Sequence, residues 1–317
     1  MSIAQPVVDA SVVKGAVQPL KNDAPTTSWG KARERLGWIM VAPAVIAVLI
    51  VALYPLIQTF RLSLTNSRIG RPGYSYVGLA NYRYLWSDPD WVSAVKHTFQ
   101  FTIASVTFET LFGMVIALVI HSNFKGRGIV RTSMLVPWAI PTVVSAQMWK
   151  WMYQDVFGVF NDFLVTRTHI LAQAHSFTTD PATALWSVIA VDVWKTTPFM
   201  ALLLLAGLQI IPGDIYEASM VDGATKWQQY WQLTLPLLKP ALLVALIFRT
   251  LDAFRVFDVI YVMAKGSPSM ITVAVYAQQS IFSIQRLGRG SAASVLIFLM
   301  IGILVVIYTR IVKIEEL

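Results

Sequence analysis

The hydrophobic positions of this chain gather into runs of about 20 residues, the length a helix needs to cross a hydrocarbon layer of about 30 Å. The first run, 36–60, carries no charge and follows Lys31, Arg33 and Arg35. Further runs occupy about 98–120, 133–152, 184–211, 237–258 and 291–309. Together they predict an all-α integral membrane protein with about six transmembrane helices. Pro137 and Pro141 interrupt the third run. Proline lacks a backbone donor and crowds the carbonyl four residues back, so a kink is expected there.

Between the runs, 61–97 and 153–183 are polar and rich in Tyr, Trp, Asn and Asp. Tyr74, Tyr76, Tyr82, Tyr84, Trp86 and Trp91 are expected at headgroup level. The linker 121–132 holds Lys125, Arg127 and Arg131 and no acid. Bases in short loops mark the cytoplasmic side, so a multi-pass membrane protein with both termini inside the cell is expected. Residues 1–35 lack sustained periodicity and a cleavable apolar segment; they read as a largely disordered cytoplasmic tail, and 313–317 as a short cytoplasmic end.

With 56% hydrophobic and 13% charged residues and a mean hydropathy of +0.60, the 317-residue chain is too apolar for a soluble domain. Its net charge of +8 is not concentrated into a phosphate-binding patch, so membrane lipid rather than nucleic acid is the expected partner. The absence of cysteine excludes disulfides and thiolate chemistry. His97, His121, His169 and His175 lack the spacing of a metal site. No Ser/His/Asp set suggests hydrolysis, so neither metal nor catalytic residues are expected.

The segment 212–236 between the fourth and fifth runs reads as helix, glycine turn, helix. Asp214 stands where an N-cap belongs, Glu217 three positions later completes a capping-box pattern, and Gly223 can supply the left-handed residue that ends a short helix. A stiff elbow of this kind can be gripped by a partner and move the attached spans. Equally, Glu217 can merely cap its helix and the loop merely connect; spacing alone leaves both open.

Glu217-Ala218-Ser219, then Gly223, then Leu233-Thr234-Leu235-Pro236 resembles the EAA loop of binding-protein-dependent ABC permeases. Tyr76-Val77-Gly78-Leu79-Ala80-Asn81-Tyr82, followed by Asp88-Pro89 and His97-Thr98-Phe99, is similar to the first external loop of the carbohydrate-uptake branch. With Pro43, Tyr54-Pro55 and the Gly266-Ser267-Pro268 turn, the resemblance covers roughly 36–312, the expected permease domain. It implies a non-catalytic permease that pairs with a second, homologous permease, two copies of a nucleotide-binding ATPase and an extracytoplasmic sugar-binding protein. Glu217, Ala218, Ser219, Asp222 and Gly223 are then the ATPase-coupling residues, with Ser219 standing where the motif has Ala. The chain has no Gly-x-x-x-x-Gly-Lys-Ser/Thr, and Gly30-Lys31 is followed by Ala32. ATP and Mg are therefore expected on the partner ATPase, with no cofactor on this chain.

Charges inside the runs carry the remaining chemistry. Each costs about 2.5–3.5 kcal/mol at the bilayer centre on insertion scales, so Asp192, Lys195, Arg249 and Asp252 need partners or water. Asp192, Lys195, Thr196 and Phe199 share one helix face, and Arg249, Asp252, Ala253 and Val256 repeat the spacing. Two such faces can enclose a sugar, hydroxyls meeting the polar groups and Phe199 covering a ring face. The alternative is a set of i, i+3 pairs: Asp192 with Lys195, Arg249 with Asp252, Asp252 with Arg255, and Arg255 with Asp258. Val193 to Phe199 and Phe248 to Phe254 resemble trehalose permeases, which implies an α-glucoside disaccharide such as trehalose or maltose as substrate. In the rival reading, an ion- or proton-coupled secondary transporter, Asp192 and Asp252 would titrate. Glu109 is expected to hydrogen-bond within the bundle or face a neighbouring subunit, and Gly113, Gly207 and Gly302 to permit close helix packing.

Overall fold

A computed structural model describes residues 28–263 and 270–315, with side chains for 34–263 and 270–310. Residues 1–27 of the expected tail, the Gly266-Ser267-Pro268 turn and residues 316–317 lie outside the described residues. The chain forms two compact units, up to Ile57 and from Gln58 onward.

The first unit is helical from Ser28, so the helix that carries the first span begins within the last part of the expected tail. The helix Ser28–Val48 opens into a π-helical turn at Leu49–Leu53 and resumes over Tyr54–Ser63. The wide turn falls just before Pro55, where the proline ring would otherwise crowd the carbonyl of Val51.

In the second unit, Pro89–His121, Ala184–Ile210, Lys226–Met263 and Leu287–Arg310 are long and apolar enough to cross a membrane, as is Glu34–Ser63 at the N-terminal end. The third span is broken rather than kinked: Arg127–Ala139 and Thr142–Met152 meet at 88°. Counted as one span, this bent pair completes the expected six. Ile140, held extended by the proline that follows it (φ −70°, ψ 133°), starts the break, and Pro141 leads into Thr142–Met152. Among the described residues there is no strand, only an isolated antiparallel bridge between Thr65 and Tyr76.

The second span starts at Pro89, earlier than the apolar run suggests. Asp88 caps it by accepting from the Asp90 amide at 3.0 Å, and Pro89 occupies the first turn. Trp91 thereby falls inside the fold, 4% exposed and edge-on to Tyr276. Burial and the Asp88 carboxylate, which accepts from the phenol at 2.5 Å, hold Tyr276 well above its ordinary pKa. The 76–82 motif is a staple. Asn81, buried, donates to the carbonyls of Ser63 and Thr65 at 2.8 Å each, and Tyr82 meets the Ser63 hydroxyl at 2.7 Å.

Spans two, four and five form the centre. One apolar cluster joins Phe101, Val106, Val188, Val191 and Ala253; another joins Met114, Met200, Leu204, Leu208, Leu238 and Ala245. The approach is closest at two of the three glycines expected to matter. A Cβ at Gly113 would stand 2.8 Å from Met200 Cγ and 3.2 Å from the Ala201 amide nitrogen. One at Gly207 would collide with Ala241 and Leu238, whereas Gly302 has nothing within 4 Å. Gly113→Val should therefore destabilise by about 1–3 kcal/mol, because the obstacle includes backbone. It should lower the thermal midpoint of the detergent-purified protein while Gly302→Val leaves it unchanged; equal midpoints would refute the packing role.

Candidate functional site: an intramembrane ion cluster and a surface elbow

Arg249, on the helix Leu235–Phe254, is buried to 2% exposure in the middle of the bundle. Its guanidinium reaches three carboxylates on three spans. Nε and Nη2 donate to Glu109 of the second span, the latter at 2.8 Å. Nη2 also donates to Asp192 of the fourth span at 2.5 Å, and Nη1 to Asp252, one turn along its own helix, at 2.8 Å. Thr196 Oγ1 completes the cluster, 2.6 Å from both Glu109 Oε1 and the Asp192 carbonyl. Glu109 and Asp192 are buried, whereas the Asp252 side chain is 68% exposed. The planar fork of arginine suits this convergence, since its five N–H groups can serve several carboxylate oxygens at once.

The i, i+3 ladder forms only at its first rung, Arg249 with Asp252. The helix ends at Phe254 and Arg255 is its C-cap, so no Asp252–Arg255 or Arg255–Asp258 bridge occurs among the described residues. Asp192 pairs with Arg249 rather than with Lys195. The ammonium of Lys195 instead donates to the carbonyls of Ile140 at 2.7 Å and Trp138 at 3.3 Å. Those carbonyls lie at the break in the third span, where a helix end leaves acceptors without partners and favours a cation. Lys195 thus positions Trp138, whose ring stacks on Phe199 at 5.9 Å and 9° and remains 48% exposed.

The second predicted face is only partly shared. Ala253 is 1% exposed within the apolar core, and Val256 lies past the helix end and packs against the same core, so neither joins Asp252 on an open face. Glu109, expected to hydrogen-bond within the bundle, does so with Arg249 and Thr196, and only Trp138 escaped the sequence reading. Glu109 had a signal, as the only charge in the 98–120 run. Trp138 had none, because its exposure follows from the break beside it.

At one end of the bundle, Gly213–Val221 forms the first arm of an elbow, with Pro212 at its N-cap. Asp214 therefore lies inside the first turn rather than capping it, where a carboxylate favours the positive end of the helix dipole. The capping box belongs to the second arm. Thr225 Oγ1 accepts from the Gln228 amide at 3.3 Å, and Gln228 Oε1 accepts from the Thr225 amide at 2.8 Å. Gly223 adopts φ +80°, the left-handed turn expected of it. Glu217, Ala218, Asp222 and Gly223 are exposed. Ser219 is half-buried, its hydroxyl donating to the Tyr216 carbonyl and accepting from Gln229 Nε2, both at 2.8 Å. Tyr216 and Thr234 join the arms again at 3.0 Å. The second arm passes through a π-helical turn, Tyr230–Thr234, directly into the helix that bears Arg249. Pro236 sits in the first turn of that helix and does not separate it from the elbow.

Arg249→Met should leave Glu109 and Asp192 buried without a cation, a loss of about 3–5 kcal/mol, and should sharply reduce monodisperse protein after detergent extraction. Adding Glu109→Gln and Asp192→Asn to the same chain should recover much of that loss. A triple variant no better than Arg249→Met alone would show that the charges are not coupled.

The family model described as "binding-protein-dependent transport system inner membrane component" matches residues 109–314, which include both the cluster and the elbow. Among relatives, the trehalose/maltose transport system permease protein MalF of Thermococcus litoralis is 40% identical over 287 residues, 90% of this chain and 96% of that one. The trehalose transport system permease protein SugA of Mycobacterium tuberculosis is 39% identical over 280 residues, 88% of this chain and 89% of that one. A bacterial ABC transporter involved in the import of alginate shares the fold, with a TM-score of 0.78 at 23% identity over 89% of this chain and 96% of that one. Matched through most of its length by this model and these relatives, the chain belongs to the family of binding-protein-dependent inner-membrane permeases of ABC importers.

Proposed function

We propose that this permease imports an α-glucoside disaccharide, trehalose or maltose being the first candidates, by alternating access driven by a separate ATPase. The observation that carries the coupling half of this reading is the elbow. Glu217 and Ala218 are presented on an exposed arm, Ser219 and Tyr216 tie that arm to the second, and the second is continuous with the helix of Arg249. A force applied at Glu217 then reaches the intramembrane cluster through hydrogen-bonded helices rather than through slack loop. The hydroxyl of Ser219 strengthens the joint at the motif position where the family has Ala.

The substrate half rests on the trehalose and maltose transport systems to which the relatives belong. It also rests on the chemistry left accessible around the cluster. Asp252 offers a carboxylate oriented by Arg249, Thr196 is half-buried and also meets Arg249, at 3.3 Å, and Trp138 with Phe199 presents a stacked aromatic surface. Carboxylates and hydroxyls suit sugar hydroxyls, while aromatic faces cover the apolar side of a pyranose. Asp192 and Arg249 serve from behind, and Lys195 holds the broken span that carries Trp138. A second permease, two ATPase copies on the elbow side, and an external binding protein complete the assembly, with both termini of this chain in the cytoplasm. ATPase closure pushes the elbow and opens the translocation path outward; hydrolysis returns it inward, biasing two pre-existing states.

Reconstituted with its partners in vesicles, the assembly should show ATPase activity stimulated by trehalose or maltose with the binding protein across a disaccharide panel. Glu217→Lys should abolish both the stimulation and uptake, and collapsing the proton gradient should leave uptake unchanged. Stimulation by no sugar would sink the substrate class. Uptake that survives Glu217→Lys but stops with the gradient would replace this mechanism with a proton-coupled one.

A further inference from the structure

Beneath the elbow lies a recess of about 880 Å³ that the transport reading does not use. Its walls come from the second span (Leu111, Met114, Leu118) and from Leu242 of the fifth, and its mouth from Lys226, Trp227 and Tyr230. The volume falls within the range of sites that take a drug-sized ligand. Along the second span it extends from Thr110, whose hydroxyl is satisfied by the Val106 carbonyl, to His121, the last residue of that helix. At 1.5 Å per residue this is about 16 Å, roughly half of the hydrocarbon thickness and so the depth of one leaflet.

The two ends of the recess differ in chemistry. The deep part is apolar. At the mouth, Trp227, Tyr230 and Trp231 form an aromatic cluster with centroids 5.2–6.2 Å apart, and Trp227 is 70% exposed. Lys226 stands exposed beside them and makes no ion pair among the described residues, and the lining contains no Asp or Glu. His121 Nδ1 is buried without a hydrogen-bond partner. An apolar channel one leaflet deep, capped by Trp, Tyr and an unneutralised ammonium, has the charge and polarity of a phospholipid turned inside out.

We propose that this recess binds one anionic phospholipid of the leaflet that meets the elbow, an acyl chain between spans two and five and the headgroup phosphate at Lys226. The lipid fills the space under the second arm of the elbow. The membrane's anionic lipid content then bears on the joint between elbow and fifth span. This site does not depend on which sugar is carried or on ATP coupling, so it stands or falls separately from the transport reading.

The test is native mass spectrometry of the full-length chain, delipidated in its assembly, with dioleoyl-phosphatidylglycerol or dioleoyl-phosphatidylcholine added at equal concentration. Phosphatidylglycerol should be retained in preference. Lys226→Gln should weaken its binding about fivefold, the effect of removing one lysine–headgroup attraction, and Lys226→Arg should restore it. Leu118→Trp, which fills the recess, should remove the retained lipid of either kind; size-exclusion of each variant checks that the assembly is intact. Retention of phosphatidylglycerol unchanged in both Lys226→Gln and Leu118→Trp would overturn the proposal. A different occupant is detected through Val115, which lines the recess and is 60% exposed in a chain with no cysteine. If Val115→Cys cross-links efficiently to the second permease in native membranes, the recess is a subunit interface and the lipid site is wrong.

Discussion

The guanidinium of Arg249 is the constraint around which this membrane fold is arranged. A charge at that depth is tolerated only with partners, and its partners stand on the second and fourth spans and one turn along its own helix. Each bond restricts the rotation of a helix about its axis as well as its height in the membrane. Apolar packing between these spans is less directional, since Leu, Val and Met contacts tolerate sliding that a bidentate guanidinium–carboxylate pair does not. The two close glycine approaches, Gly113 to Met200 and Gly207 to Ala241, let the backbones come near enough for those bonds to form.

The same economy of partners explains the broken third span. Pro141 forces Ile140 into an extended conformation and leaves carbonyl oxygens inside the fold without amide donors. In a bilayer such groups must be satisfied from within the protein. Lys195 does so from the fourth span, and one intramembrane charge and two orphan carbonyls are resolved by a single contact. The exposed Trp138 beside the break, stacked on Phe199, follows from that arrangement.

The helix carrying Arg249 also continues into the elbow, so the buried cluster and the exposed elbow belong to one mechanical line. The π-helical turn at Tyr230–Thr234 accommodates Pro236 without interrupting that line. In the proposed importer the elbow moves and the cluster keeps spans two, four and five together as they follow. The lipid-sized recess lies under this joint, flanked by the spans it connects.

The sequence by itself determined the number and approximate place of the spans, because crossing a bilayer demands about 20 apolar residues and little else produces such runs. It also determined the elbow, whose turn glycine Gly223 and spaced Glu217-Ala218-Ser219 are local features. Helix ends were less legible: Asp88 caps and starts the second span well before its apolar run, and Pro212 rather than Asp214 holds the N-cap position of the elbow. Only the tertiary structure decided who pairs with whom. Asp192 has Lys195 one turn away in sequence and Arg249 57 residues away, and it takes the distant partner. Glu109 is 140 residues from the arginine it holds. Local spacing proposes neighbours along one helix, but inside a membrane a charge goes where the packed bundle brings a complementary group, and that depends on the rotation of every helix around it.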